Sequence, residues 1–138
     1  MFLFDASAIA NLIKRGIFSP LADGMTLDLA VYEVLNVVWK ENRILSVLDE
    51  KSAARLVESF SEVFAVVPVV SVRGSEKQVF ELAVKENLTV YDAAYLYTAI
   101  RNRLKLVSDD EKLRKVASKV VESLRSRDLQ PGPENNAA

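Results

Sequence analysis

The chain has 138 residues, half of them hydrophobic and 27% charged, with a net charge of −1 and neither cysteine nor histidine. That length suits one domain able to bury its own core without staples. The missing residue types exclude disulfides, thiolate zinc sites, cysteine nucleophiles, the Ser-His-Asp triad and imidazole metal ligands. Any chemistry must run on carboxylates, hydroxyls, lysines or a borrowed metal ion. Any grip on nucleic acid must come from a local patch or a bound cation, because the chain has no basic surplus.

Residues 1–5 read as a short buried strand, apolar up to Asp5, with no basic region that would mark a leader peptide. Ser7 to about Arg15 follows as a helix with Ile9, Leu12 and Ile13 on one face, stopping near Gly16. A loop through Pro20 and Gly24 leads to a second strand, Met25–Leu27, and a very apolar helix from about Leu29 to Asn42. Asp49 is placed to cap a third helix, whose Leu56, Phe60, Val63 and Phe64 recur at helical spacing. Val66–Val70 reads as a strand in which Pro68 marks a start or an edge. Ser75 and Gln78 form a capping box for a helix ending near Asn87. Asp92 opens a helix to about Asn102, and Leu104–Val107 reads as a fourth strand. Ser108 with Glu111 forms a second capping box, for a helix from Asp109 to about Ala117, and Val120-Val121 belongs to a last short strand.

Strands alternating with helices predict a parallel sheet covered by helices. One domain is expected over residues 1–127, with a disordered tail over 128–138, where no apolar run occurs. No apolar stretch reaches the roughly 18 residues of a membrane span, so the cytoplasm is the expected compartment.

In open parallel sheets, ligands bind beyond the carboxyl ends of the strands. Four acidic residues fall there: Asp5 ends the first strand, Glu33 lies in the helix after the second, and Asp92 and Asp110 open later helices. Taken singly, Asp92 and Asp110 also read as helix-start residues, and Asp5 as a strand end that caps the next helix. Glu33 is harder to explain that way. It sits among Val31, Val34 and Leu35, and burying an unpartnered carboxylate costs several kcal/mol. Asn36 shares its helix face and is a candidate to orient it. Four converging carboxylates repel one another unless a cation lies between them. Hard oxygen ligands suit magnesium or manganese, and metal-assisted phosphodiester hydrolysis needs carboxylates and no histidine.

The segments FLFDASAIANLIK, TLDLAVYEVLNVVWK, LTVYDAAYLYTAI and KLVSDDEKLRKVA together resemble the four motifs of the PIN domain, in order, over roughly residues 1–124. The first motif pairs an aspartate with a hydroxyl two residues on, here Asp5 and Ser7. The last is usually Thr, any residue, then Asp; Ser108 stands for the threonine and Asp110 for the aspartate, with Asp109 beside it as a rival. Asp28 lies near Glu33 but does not match the motif.

The resemblance implies a three-layer α/β sandwich with a mainly parallel sheet of about five strands. It also implies a Mg2+- or Mn2+-dependent endoribonuclease acting as the toxin of a toxin–antitoxin pair. Asp5, Asp92 and Asp110 would be metal ligands, Glu33 a ligand or the group orienting the attacking water, and Ser7 and Ser108 supporting donors. A homodimer silenced by a small antitoxin is the implied assembly. The apolar helix through Val34, Val37, Val38 and Trp39 suits either deep burial or a dimer surface. Lys14, Arg15, Lys40, Arg43 and Arg73 are candidate substrate-gripping cations.

Three other readings compete. An inactive RNA-binding or dimerisation module would keep the fold, but retention of all four acids argues against it. A haloacid dehalogenase-type phosphatase needs a second aspartate where Ser7 stands. An Asp-x-Ser-x-Ser adhesion site needs a serine where Ile9 stands.

Overall fold

The computed structural model describes residues 1–132. Its elements run in the order β1 (Phe2–Phe4), α1 (Ala6–Lys14), β2 (Gly24–Leu27), α2 (Leu29–Trp39), α3 (Glu50–Val66), β3 (Val69–Val70), α4 (Glu76–Glu86), α5 (Val90–Asn102), β4 (Lys105–Val107), α6 (Glu111–Ala117) and β5 (Ser123–Leu124). The five strands form one all-parallel sheet in the order β3-β2-β1-β4-β5. Leu3, Phe4, Leu106 and Val107 are fully buried, as expected where helices cover both faces of a parallel sheet. Right-handed crossovers place α1, α2 and α3 on one face and α4, α5 and α6 on the other, because the chain moves in opposite directions from β1 to β3 and from β3 to β5. Packing agrees: α1, α2 and α3 contact one another, as do α4 with α5 and α5 with α6.

Each helix buries the stripe that its sequence period dictates. Ile9, Leu12 and Ile13 of α1, Val34 and Val38 of α2, Phe60 and Val63 of α3, and Leu113 and Ala117 of α6 all enter the core. Gly24 is required where β2 passes β1: a Cβ there would lie 2.4 Å from the Phe2 carbonyl oxygen and 2.6 Å from the Phe4 ring.

Several element boundaries differ from the sequence reading. Val66, read as strand, is the last residue of α3 and is 78% exposed; the helix runs on until Pro68 stops it, leaving only Val69–Val70 as β3. Asp92 does not open α5, which starts at Val90 under a cap from Thr89. The Ser75–Gln78 box does not form, because the Ser75 hydroxyl accepts from Tyr97 and Arg101 instead. The Ser108–Glu111 box is also absent: Asp110 caps α6, accepting from the Leu113 amide at 3.1 Å. The apolar helix expected to reach Asn42 ends at Trp39 and continues as a wider π-type turn over Lys40–Ile44. The last strand is Ser123–Leu124 rather than Val120-Val121.

Of the stretch expected to form a loose tail, Asp128 ends a short turn over Ser126–Asp128, Leu129 is buried, and the Gly132 amide donates to the Ser19 hydroxyl. Residues 133–138 lie outside the described residues. Among those described, no helix is long and apolar enough to cross a membrane.

Candidate active site

The sheet order creates one crevice. After β1 the chain turns toward β2, and after β4 it turns the other way toward β5, so the carboxyl ends of these neighbouring strands open onto a gap. Asp5 follows β1 and Ser108–Asp110 follows β4, which puts both motifs at its mouth.

Asp5 is 5% exposed. One of its oxygens, Oδ1, accepts from the Ser7 hydroxyl at 2.6 Å and from the Ala8 amide at 2.9 Å, the second bond capping α1. Its other oxygen accepts from the Ser108 hydroxyl. Each serine in turn accepts a backbone N–H: Asp109 donates to Ser7 at 2.9 Å and Asp110 donates to Ser108 at 3.0 Å. The two hydroxyls therefore relay the amides of one turn to the two oxygens of one carboxylate. Burial nevertheless pushes Asp5 up to about 6; the three hydrogen bonds only partly offset it, and the nearby Asp109 charge raises it further.

Glu33, on the first turns of α2, is half-buried, and the Tyr95 hydroxyl donates to its Oε1 at 2.7 Å. Burial raises its pKa, the Tyr95 bond lowers it and the charge of Asp92 raises it. Asp92 is raised by burial and then by the charge of Asp110, with Lys112 pulling the other way. Tyr95 feels both Glu33 and Asp5; burial, then the bond and charge of Glu33, hold its phenol well above the usual range, so it stays a neutral donor. Charge thus reaches from Asp110 to Asp92, from Asp92 to Glu33, and from both Glu33 and Asp5 to Tyr95. Among the described residues, none of the four acids has a Lys or Arg ion-pair partner within 4.0 Å. Nor do any three acidic side chains there form a ready-made metal cage.

The PIN domain family model matches residues 3–119. This chain belongs to the PIN-domain family. It is 39% identical to Ribonuclease VapC3 of Pyrobaculum aerophilum, over 79% of this chain and 88% of that protein. It is 36% identical to Exonuclease VapC9 of the same organism, over 63% of this chain and 62% of that protein. Among solved structures, PAE2754 from Pyrobaculum aerophilum superposes with a TM-score of 0.75 at 29% identity, covering 92% of this chain and 84% of that one. The three-layer α/β sandwich expected from the sequence is the fold that these PIN-domain proteins share with it.

Within this PIN domain the two adjacent aspartates diverge. Asp110 is the neighbour whose charge reaches Asp92, while Asp109 accepts from Asn11 at 2.6 Å and from the Ser126 amide at 2.8 Å and hydroxyl at 2.5 Å. Burial pushes Asp109 up, but these bonds and the Arg114 charge outweigh it and leave its pKa lowered. Asp28 caps α2 through the Leu29 amide.

Asn36 is exposed and makes no hydrogen bond to Glu33 among the described residues; Tyr95 holds it instead, from a helix 62 residues further on. Tyr95 went unread in the sequence, although it lies one turn after Asp92 and so shares its helix face. Of the candidate cations, Lys14 and Arg15 line a groove beside the site, whereas Lys40, Arg43 and Arg73 do not.

Proposed function

We propose that this PIN domain is a divalent-metal-dependent nuclease that cuts RNA internally and acts as the toxin of a toxin–antitoxin pair. The observation that carries the reading is Asp5. It is a buried carboxylate with no cation paired to it among the described residues and, of about four acceptor positions, roughly one unfilled. A buried charge left in that state is costly unless a positive ion completes it.

The donor chemistry, oxygen ligands only, suits magnesium or manganese, ions that retain several waters. Asp5, Asp92 and Asp110 would hold the ion directly or through water, with Glu33 as a further ligand or the group that orients the attacking water. Bound there, the ion supplies neutralisation of phosphate charge and a water acidic enough to ionise near neutral pH. Tyr95 fixes one oxygen of Glu33 and leaves the other to position the attacking water or take its proton. Ser7 and Ser108 hold Asp5 in register with the turn that carries Asp110.

A homodimer and a small antitoxin belong to the same reading. Supporting them is the outer face of α2, where Tyr32 is 73% and Trp39 53% exposed beside Leu35, an apolar surface on the helix that carries Glu33.

The test is cleavage of labelled linear and circular RNA with magnesium, manganese or chelator, with Asp5→Asn and Asp92→Asn proteins prepared identically. Metal-dependent cutting of both RNA forms, lost in both variants, is expected. Cutting of linear RNA alone would favour an exonuclease, the activity named for the relative VapC9. Cutting that survives both substitutions would sink the site.

A further inference from the structure

Beside the 108–110 turn lies an open groove of about 610 Å³. It is lined by Asn11, Lys14, Arg15, Arg114, Arg125 and Arg127, with Asp109 and Ser126 in its wall. We infer that this groove binds the phosphates of the RNA strand next to the cleaved bond, an inference that rests on the ribonuclease reading above.

Charge is the first argument. The chain as a whole is at −1, yet five of its 18 lysines and arginines line this one groove against a single carboxylate. That carboxylate, Asp109, already accepts from Asn11 and Ser126. Lys14 pairs with Glu41 and Arg125 with Asp128, but Arg15, Arg114 and Arg127 have no carboxylate within 4.0 Å among the described residues. Guanidinium groups match the oxygens of a phosphodiester in shape and charge.

Position is the second. Asp109 faces the groove and Asp110 belongs to the acid centre, and their Cα atoms are about 3.8 Å apart. Arg114, in the groove lining, donates through Nη1 to the Ser108 carbonyl of the same turn at 2.9 Å. The groove and the acid centre therefore share this one turn of backbone. The groove holds no aromatic side chain on which a base could stack, so it reads the backbone and supplies affinity without sequence choice.

The experiment uses a fluorescent single-stranded 12-nucleotide RNA in chelator, where binding is measured without hydrolysis, over a range of salt. Arg15→Gln/Arg127→Gln is compared with wild type and with Lys77→Gln/Lys85→Gln, an equal change of charge on α4 across the sheet. Arg15 and Arg127 are both exposed, and an unchanged melting temperature shows that the variant folds. Losing two phosphate contacts should weaken binding about tenfold or more at low salt. It should also cut the slope of log affinity against log salt by roughly 1.4, at about 0.7 per charge for single strands. With metal added, KM should rise and kcat stay within about twofold, while the α4 control matches wild type throughout.

Equal effects in the groove variant and the control would overturn the inference. So would wild-type binding that ignores salt, or equally tight binding of an acidic peptide such as hexaglutamate. RNA binding that depends on the groove without any cleavage would instead count against the nuclease reading and leave the groove standing.

Discussion

Asp5 and Asp109 are two carboxylates bound to the same turn, and they shift in opposite directions. Asp109 receives an amide, a hydroxyl and a side-chain amide and lies near Arg114, so its charge is met by its neighbours and its pKa falls. Asp5 also receives three hydrogen bonds, but it is more deeply buried, feels the charge of Asp109 and has no ion-pair partner among the described residues, so its pKa rises. Equal numbers of hydrogen bonds therefore do not fix the direction in which a carboxylate shifts. What separates these two is whether the surrounding protein supplies the countercharge.

If the comparison is right, removing Asp5 or Asp92 should abolish activity while leaving the fold intact. Asp92→Asn should lower metal-dependent cleavage by about a thousandfold or more, taking several kcal/mol for a ligand to the ion at about 1.4 kcal/mol per factor of ten. Single-turnover rates at saturating metal measure it.

The next effect concerns pH in chelator. Between its ordinary value of 3.8 and its folded value of about 6, native Asp5 keeps a proton that the unfolded chain has lost. Folding then binds protons, so stability falls as pH rises through that window, by up to about 3 kcal/mol at 1.36 kcal/mol per unit. Urea titrations at pH 4, 5, 6 and 7 should show the decline, and Asp5→Asn should flatten it. Magnesium at pH 7 should restore stability to the wild type and leave the variant unchanged.

Tyr95→Phe sharpens the comparison from the side of Glu33. Loss of the bond that orients a ligand should reduce metal affinity or kcat about 10- to 100-fold with little change in folding. Activity against magnesium concentration separates the two. The smallest effect should come from Asp109→Ala, which leaves the acid centre in place but orphans Asn11 and the Ser126 amide. It should cost about 1–3 kcal/mol of stability by thermal melting, while the folded fraction still cuts RNA. Loss of cleavage in folded Asp109→Ala protein would mean that the two carboxylates had been assigned the wrong way round.

Most of the fold was legible because it rests on period and on strand length. The helical stripes of α1, α3 and α6 and the buried β1 and β4 follow directly from the apolar pattern. What misled were cues that compete locally. Val66 and Val67 favour a strand, but α3 was already running and nothing before Pro68 could stop it. Ser75 and Ser108 look like helix caps, but their hydroxyls are taken by partners distant in sequence: Tyr97 and Arg101 for one, Asp5 for the other.

The site divided in the same way. The four acids singled out in the sequence each break an apolar context at a strand end or near a helix start. Their partners gave no such cue, since Tyr95 reaches Glu33 across 62 positions and Asn11 reaches Asp109 across 98. Arg125 and Arg127 follow a strand of only two residues, with no pattern to mark them out.

The bond from Ser126 to Asp109 also sets an order of assembly. Asp5 is made near the beginning, yet the turn that feeds its two serines is tied down by a residue synthesised well over a hundred positions later. A nascent chain can form β1 and β2 and place Asp5 and Glu33 long before that tether exists. The 108–110 turn, which carries the last of the four acids, is therefore the part of the cluster that is tied down last, when the C-terminal segment docks.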